Sequence, residues 1–76
     1  MTDPLPIDDI KRRIRALHLR PGDMARISDV TATTIYKVLN GELVSRKTLV
    51  RLTEALLAEE RAQLARLAAL HPQTQD

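Results

Sequence analysis

The chain has 76 residues, no cysteine, one aromatic side chain (Tyr36) and a net charge of +2. That is enough for one domain with an aliphatic core, near the lower limit of what a single apolar core supports. Without cysteine, a disulfide framework and a thiolate metal site are excluded and a reducing cytoplasm is the simpler home. No apolar run approaches the roughly 20 residues that span a bilayer, and Met-Thr-Asp-Pro does not read as a signal peptide. The expectation is a soluble protein of the cytoplasm with no membrane partner.

In chain order, residues 1–5 read as a flexible N-terminal arm. Pro6 or Ile7 starts a helix over about 6–18, with Ile7, Ile10, Ile14 and Leu17 as its inward stripe. Asp8 and Asp9 point about 100° apart on a helix, so they read as complements to the helix dipole and not as a paired catalytic or metal site. His18 is expected near the end of this helix, where a protonated imidazole favours the dipole. A second helix spans about 21–28, with Pro21 preset for the first helical position and Asp23 in the first turn. Met24, Ala25 and either Ile27 or Ser28 form its face. The break falls at Ser28-Asp29-Val30, where Asp29 takes the left-handed position better than most residues that carry a Cβ, and Val30 plugs the corner.

The third helix, about 32–40, is capped by Thr31, whose hydroxyl accepts the N–H of Thr33 or Thr34, and closed by Gly41 in a left-handed turn. Ile35, Val38 and Leu39 define its apolar face. Opposite lie Thr33, Lys37 and Asn40, flanked by Tyr36 and Thr34, without a single carboxylate. A helix buried on one side and hydrogen-bonding or basic on the other suits the reading of DNA. After a loop at Glu42-Leu43-Val44, Ser45 caps a fourth helix whose first turn, Arg46-Lys47-Thr48, is basic. Cations there oppose the dipole, which makes sense where a phosphate is bound by both. From residue 57 to 70 there is no helix breaker, so the chain forms either helices over about 46–58 and 59–70 or one continuous helix, straight or slightly kinked near 58–60. Residues 72–76 read as a flexible tail. The fold class is all-α, a small helix-turn-helix bundle of four to five helices.

These residues resemble the helix-turn-helix proteins of the lambda-repressor and Cro type, the Xre-like family. The chain supplies Met24-Ala25, Asp29 where the family has a turn glycine, Val30, Thr31, Ile35, Val38-Leu39 and Asn40-Gly41. The likeness continues through Ser45 and the series Leu49, Leu52, Leu56, and covers about residues 10 to 56. Pro21-Gly22 stands where the family often has a polar residue that contacts phosphate. In that family the third helix lies in the major groove. Carried over, Ala32, Thr33, Tyr36 and Lys37 match base-contacting positions, and Thr31, Asn40 and Lys47 match positions near phosphate. Thr34, Arg46 and Arg20 complete the phosphate-facing set. Lys37 suits guanine O6 and N7, while Thr33 and the Ala32 methyl suit a thymine methyl or base edge. Tyr36 has a second reading, with its ring packed along the helix pair.

Charge distribution points the same way. Residues 11–51 hold ten basic side chains against three acids, a balance of +7, and the two ends together carry −5. Arg12, Arg13 and Arg15 read equally well as phosphate contacts or as a solvated helix face. Beyond Leu56, a small domain has little core left for Leu57, Leu64, Leu67, Ala68 and Leu70. That stripe, which runs from the end of the 6–57 domain into a 58–71 extension, is expected to join a second copy; the alternative is that it folds back onto the first helix.

A homodimer with half-sites about 34 Å apart would read a palindrome. The expected function is a sequence-specific double-stranded DNA-binding regulator of transcription of phage or bacterial type, foremost a repressor that occludes RNA polymerase, with an activator that touches the polymerase as the alternative the residues leave open. The other reading is an antitoxin-like or adaptor module that grips a partner protein through residues 57–70. An enzyme is not expected: His18 and His71 are isolated, and neither a phosphate loop nor metal-ligand spacing occurs. No cofactor and no metal is expected.

Overall fold

The computed structural model describes residues 3–70. They form four helices, α1 (Ile7–Ala16), α2 (Pro21–Ser28), α3 (Ala32–Leu39) and α4 (Arg46–Leu70), with no strand among the described residues. His71 and the tail over 72–76 lie outside the described residues, as do the first two positions of the N-terminal arm. The core is aliphatic: Ile10, Ile14, Met24, Ile35, Val38, Leu52 and Leu56 are fully buried, with at least one from each helix. Burying a side chain of this kind contributes roughly 1.5–3 kcal/mol.

The helix ends follow from local chemistry. Thr31 Oγ1 accepts the Thr34 N–H at 3.3 Å, and Ser45 Oγ accepts the Thr48 N–H at 3.2 Å, so both expected caps form. Pro21 is the first residue of α2, and Asp23 accepts the Arg20 N–H at 3.3 Å. At the end of α3, Gly41 adopts φ 79°; its N–H donates to Val38 O and that of Glu42 to Lys37 O, both at 2.9 Å. This pair of bonds satisfies two carbonyls that the helix leaves open.

The first helix ends earlier than its apolar stripe suggests, and α3 closes at Leu39 with Asn40 as its cap. Past Ala16, His18 takes φ 56°, its N–H donating to Arg15 O at 3.0 Å and that of Leu19 to Ile14 O at 3.1 Å. This is the same left-handed closure as at Gly41, with histidine in the glycine position. His18 therefore stands in the turn beyond the helix and not in its last turn. Asp29, at φ 58°, closes α2 as expected, and the Val30 N–H donates to Ala25 O at 3.2 Å. A left-handed residue with a Cβ is strained by roughly 1–2 kcal/mol. His18→Gly is thus expected to raise the thermal midpoint by a few degrees, part of the gain being offset by the wider freedom of glycine in the unfolded chain. Gly41→Ala should lower it: only Lys11 Nζ, at 3.9 Å, meets the new Cβ, so the loss is backbone strain. Circular-dichroism melts of the two variants check both signs.

On α2 the buried pair is Met24 and Ser28, while Ile27 stays 37% exposed. Ser28 belongs inside because its hydroxyl donates to Met24 O at 2.6 Å, so no polar group is left bare. Val30 packs half-buried against the core between α2 and α3.

Residues 46–70 form one continuous helix of 25 residues, about 38 Å long at 1.5 Å per residue. With no glycine or proline to break it, it runs on past the bundle and stretches the molecule to 51 × 27 × 20 Å. Helix α1 and its lead-in lie alongside, running in the same direction. Leu5 N–H donates to Thr53 Oγ1 at 2.9 Å, and Arg13 meets Glu60 at 2.8 Å. Leu17 shares a groove with Leu64. A residue near α1 thus neighbours the residue 47 or 48 positions later, and α4 reaches α1 without folding back. Leu5, at the end of the N-terminal arm, also packs on the core. Thr53 is a polar residue in an apolar stripe, buried because it holds that arm. Thr53→Val should cost about 1–3 kcal/mol by stranding the Leu5 N–H, read as a lower urea midpoint.

Candidate nucleic-acid interface

Ile35 and Val38 anchor α3 in the core, and this fixes which side of the helix meets solvent. The outward residues are Ala32, Thr33, Tyr36, Lys37 and Asn40, all exposed. They stand at i, i+1, i+4, i+5 and i+8, a single helical face. Tyr36 is 57% exposed, so its ring is largely in solvent and not packed away along the helix pair. The face offers a methyl, two hydroxyls, an amide and an ammonium, and no carboxylate.

The candidate phosphate contacts fall into three groups. Thr31 and Thr34 sit at the start of α3 with their hydroxyls 2.9 Å apart; Thr34 is half-buried and Thr31 exposed, so the cap itself uses part of their hydrogen-bonding capacity. Arg46 and Lys47 occupy the first turn of α4, both exposed. The Ser45 cap serves the Thr48 N–H, and the earlier amides of that turn lie beside the two cationic side chains. Arg46 approaches Asp3 at 3.7 Å, a pair so open to water (70% and 96% exposed) that screening leaves Arg46 free to exchange partners. Lys47, Lys37 and Arg20 make no ion pair with any described residue. Arg20 precedes α2 at an open helix start, where nothing lies within 4 Å of a Cβ added at Gly22.

The basic residues of α1 divide. Arg12 is bound to Asp9 at 2.6 Å on the same helix, and Arg13 turns to Glu60 of α4, donating through Nη1 to both carboxylate oxygens at 2.8 and 3.0 Å. Arg13 is thus a strut between α1 and α4. Arg15 remains exposed with no ion pair among the described residues. Sequence periodicity does not single out Arg13, because its partner lies 47 residues later on another helix. Arg51, on α4, donates a long 3.4 Å bond to Asp29 O and so ties the turn between α2 and α3 to α4.

In the C-terminal stripe, Leu64, Leu67 and Leu70 are 66%, 51% and 73% exposed, and Ala68 is exposed as well. Leu57 differs from them, being half-buried at the edge of the bundle. Among the described residues no three His, Asp or Glu side chains gather as a metal site, and no helix is long and apolar enough to cross a membrane. No protein-family model, curated protein or solved structure matches the chain.

Proposed function

We propose that this protein is a sequence-specific double-stranded DNA-binding regulator of transcription, of the lambda-repressor and Cro type, with α3 in the major groove. The observation that carries the reading is the outward face of α3: exposed, free of carboxylates, and set opposite the buried Ile35 and Val38. Ala32, Thr33, Tyr36 and Lys37 read base edges. Thr31, Thr34, Asn40, Arg46, Lys47 and Arg20 hold phosphates and set the register, which is how contacts divide in protein–DNA complexes. Two copies joined through their C-terminal helices read a palindromic operator, and occupancy blocks RNA polymerase.

Lys37→Ala should weaken specific binding by about 1–3 kcal/mol and relax the preference at one base pair. Lys47→Ala should instead weaken binding to all sequences alike and make the salt dependence shallower. Fluorescence anisotropy with specific and scrambled duplexes across a salt series separates these effects. Equal losses on both duplexes for Lys37→Ala would remove it from base reading.

The exposed leucines of α4 favour a second reading, an antitoxin-like or adaptor module in which that stripe grips another protein. It predicts weak, sequence-indifferent DNA binding together with capture of a partner chain. The two are separated by DNA affinity alone.

A further inference from the structure

Of the cations assigned to the DNA-facing surface, Lys37, Lys47 and Arg20 make no ion pair with a described residue, whereas Arg46 meets the carboxylate of Asp3 at 3.7 Å. The pairs of Arg12 with Asp9, Arg26 with Asp23 and Arg66 with Glu59 each lie within one helix and follow from helical spacing. Asp3 instead comes from a different segment of the chain. It brings an acid from outside the basic stretch over 11–51 onto the turn proposed to face phosphate.

The segment that carries Asp3 is stiff and anchored. Pro4 and Pro6 fix their own φ and bias the residues before them, Asp3 and Leu5, toward extended backbone. Leu5 packs on the core, and its N–H donates to Thr53 Oγ1 at 2.9 Å. From that anchor two extended residues span about 7 Å toward the start of α4, and Arg46 lies about 10 Å before Thr53 along the helix axis. The Asp3 and Arg46 side chains cover the difference. A carboxylate and a phosphate engage a guanidinium through the same charge-assisted hydrogen bonds, so Asp3 and a DNA phosphate contend for one group.

We propose, on the DNA-binding reading above, that the N-terminal arm is an intramolecular competitor for phosphate: Asp3 occupies Arg46 in the free protein and must be displaced when the start of α4 meets the DNA backbone. Binding to every duplex is weakened alike, because Asp3 reaches a phosphate-facing cation and none of the residues assigned to base edges. The competition is graded. Both partners are open to water, so Asp3 holds binding back by about two- to five-fold at low salt, and its effect fades as rising ionic strength screens the pair.

Fluorescence anisotropy of the full chain with a labelled mixed-sequence duplex tests this through a double-mutant cycle. Asp3→Asn should bind about two- to five-fold more tightly than wild type at low salt, with the gain lost at high salt. In an Arg46→Gln background the same substitution should change nothing, since the partner is gone. Asp3 and Arg46 are both exposed, so the helical circular-dichroism spectrum of each variant should match wild type. A gain from Asp3→Asn that persists with Arg46→Gln would mean that the carboxylate acts through net charge and not through this contact. No gain in either background would mean that the arm does not compete. Either result overturns the proposal and leaves the DNA-binding reading standing. A folded wild-type chain that binds no duplex even at low salt removes that reading, and the role of the arm with it.

Discussion

Ile35→Ala is expected to cost roughly 2–5 kcal/mol of stability, a large part of what a domain of this size possesses at about 0.05–0.15 kcal/mol per residue. Ile35 has no exposed surface and lies on the inner face of α3, opposite the residues proposed to read DNA. Removing it leaves a cavity in a core with no large aromatic side chain to shift into it, since Tyr36, the one aromatic residue, points into solvent. The thermal midpoint should fall by at least about 8 °C, since 1 kcal/mol moves a domain of this length by roughly 4–8 °C. Thr33→Ala, two residues away on the exposed face, should change stability by less than about 0.5 kcal/mol. Melts of the two variants against wild type give the contrast directly. Equal sensitivity at the two positions would mean that α3 is not seated through Ile35.

Lys37→Glu should abolish specific DNA binding. On the proposed reading the substitution removes a donor to the base edge and places a carboxylate before the phosphate backbone. Like charges brought together at an interface cost several kcal/mol, so the loss exceeds about 100-fold at 1.4 kcal/mol per decade. The domain should remain folded, because Lys37 is exposed and makes no ion pair with a described residue. A negative charge in the last turn of α3 opposes the helix dipole by about 0.3–1 kcal/mol, which predicts a melt only a few degrees lower. Anisotropy and melting curves on one preparation separate the outcomes. Retained affinity would detach Lys37 from the interface, and a collapsed melt would show that its role is in the fold.

The helix-turn-helix segment was legible in the sequence because its determinants are local. Thr31 and Gly41 mark the ends of α3, Ile35 and Val38 fall on one face by period alone, and Asp29 sits where the turn requires a left-handed residue. The exposed face of α3 follows from the same periodicity, since fixing the buried side fixes the other. What could not be read depends on long-range pairing. Nothing local singles out Arg13 until Glu60, 47 residues later, is seen to hold it. Thr53 looks like an interruption in an apolar stripe until Leu5 N–H supplies its partner.

His18 carries a weaker local signal, being one of the residue types found above average at positive φ. That tendency could have ended α1 at Ala16, but the apolar Leu17 argued for another turn. The length of α4 was left open by the residues themselves: without a breaker, only the seating of α1 along the helix settles where the bundle ends and the overhang begins. That seating also brings Leu17 to the groove with Leu64 and Leu67, a contact that no spacing within α4 could reveal.

Selection of bound sequences from a random pool of duplex DNA by the full-length protein tests the central claim most directly, with the winning site then titrated across a salt series. The account predicts a palindrome with half-sites about one helical turn apart, bound with a steep loss of affinity as salt rises. Recovery of no common sequence by a protein that is folded and helical would contradict it, and would leave the exposed leucines of α4 as the working surface of the molecule.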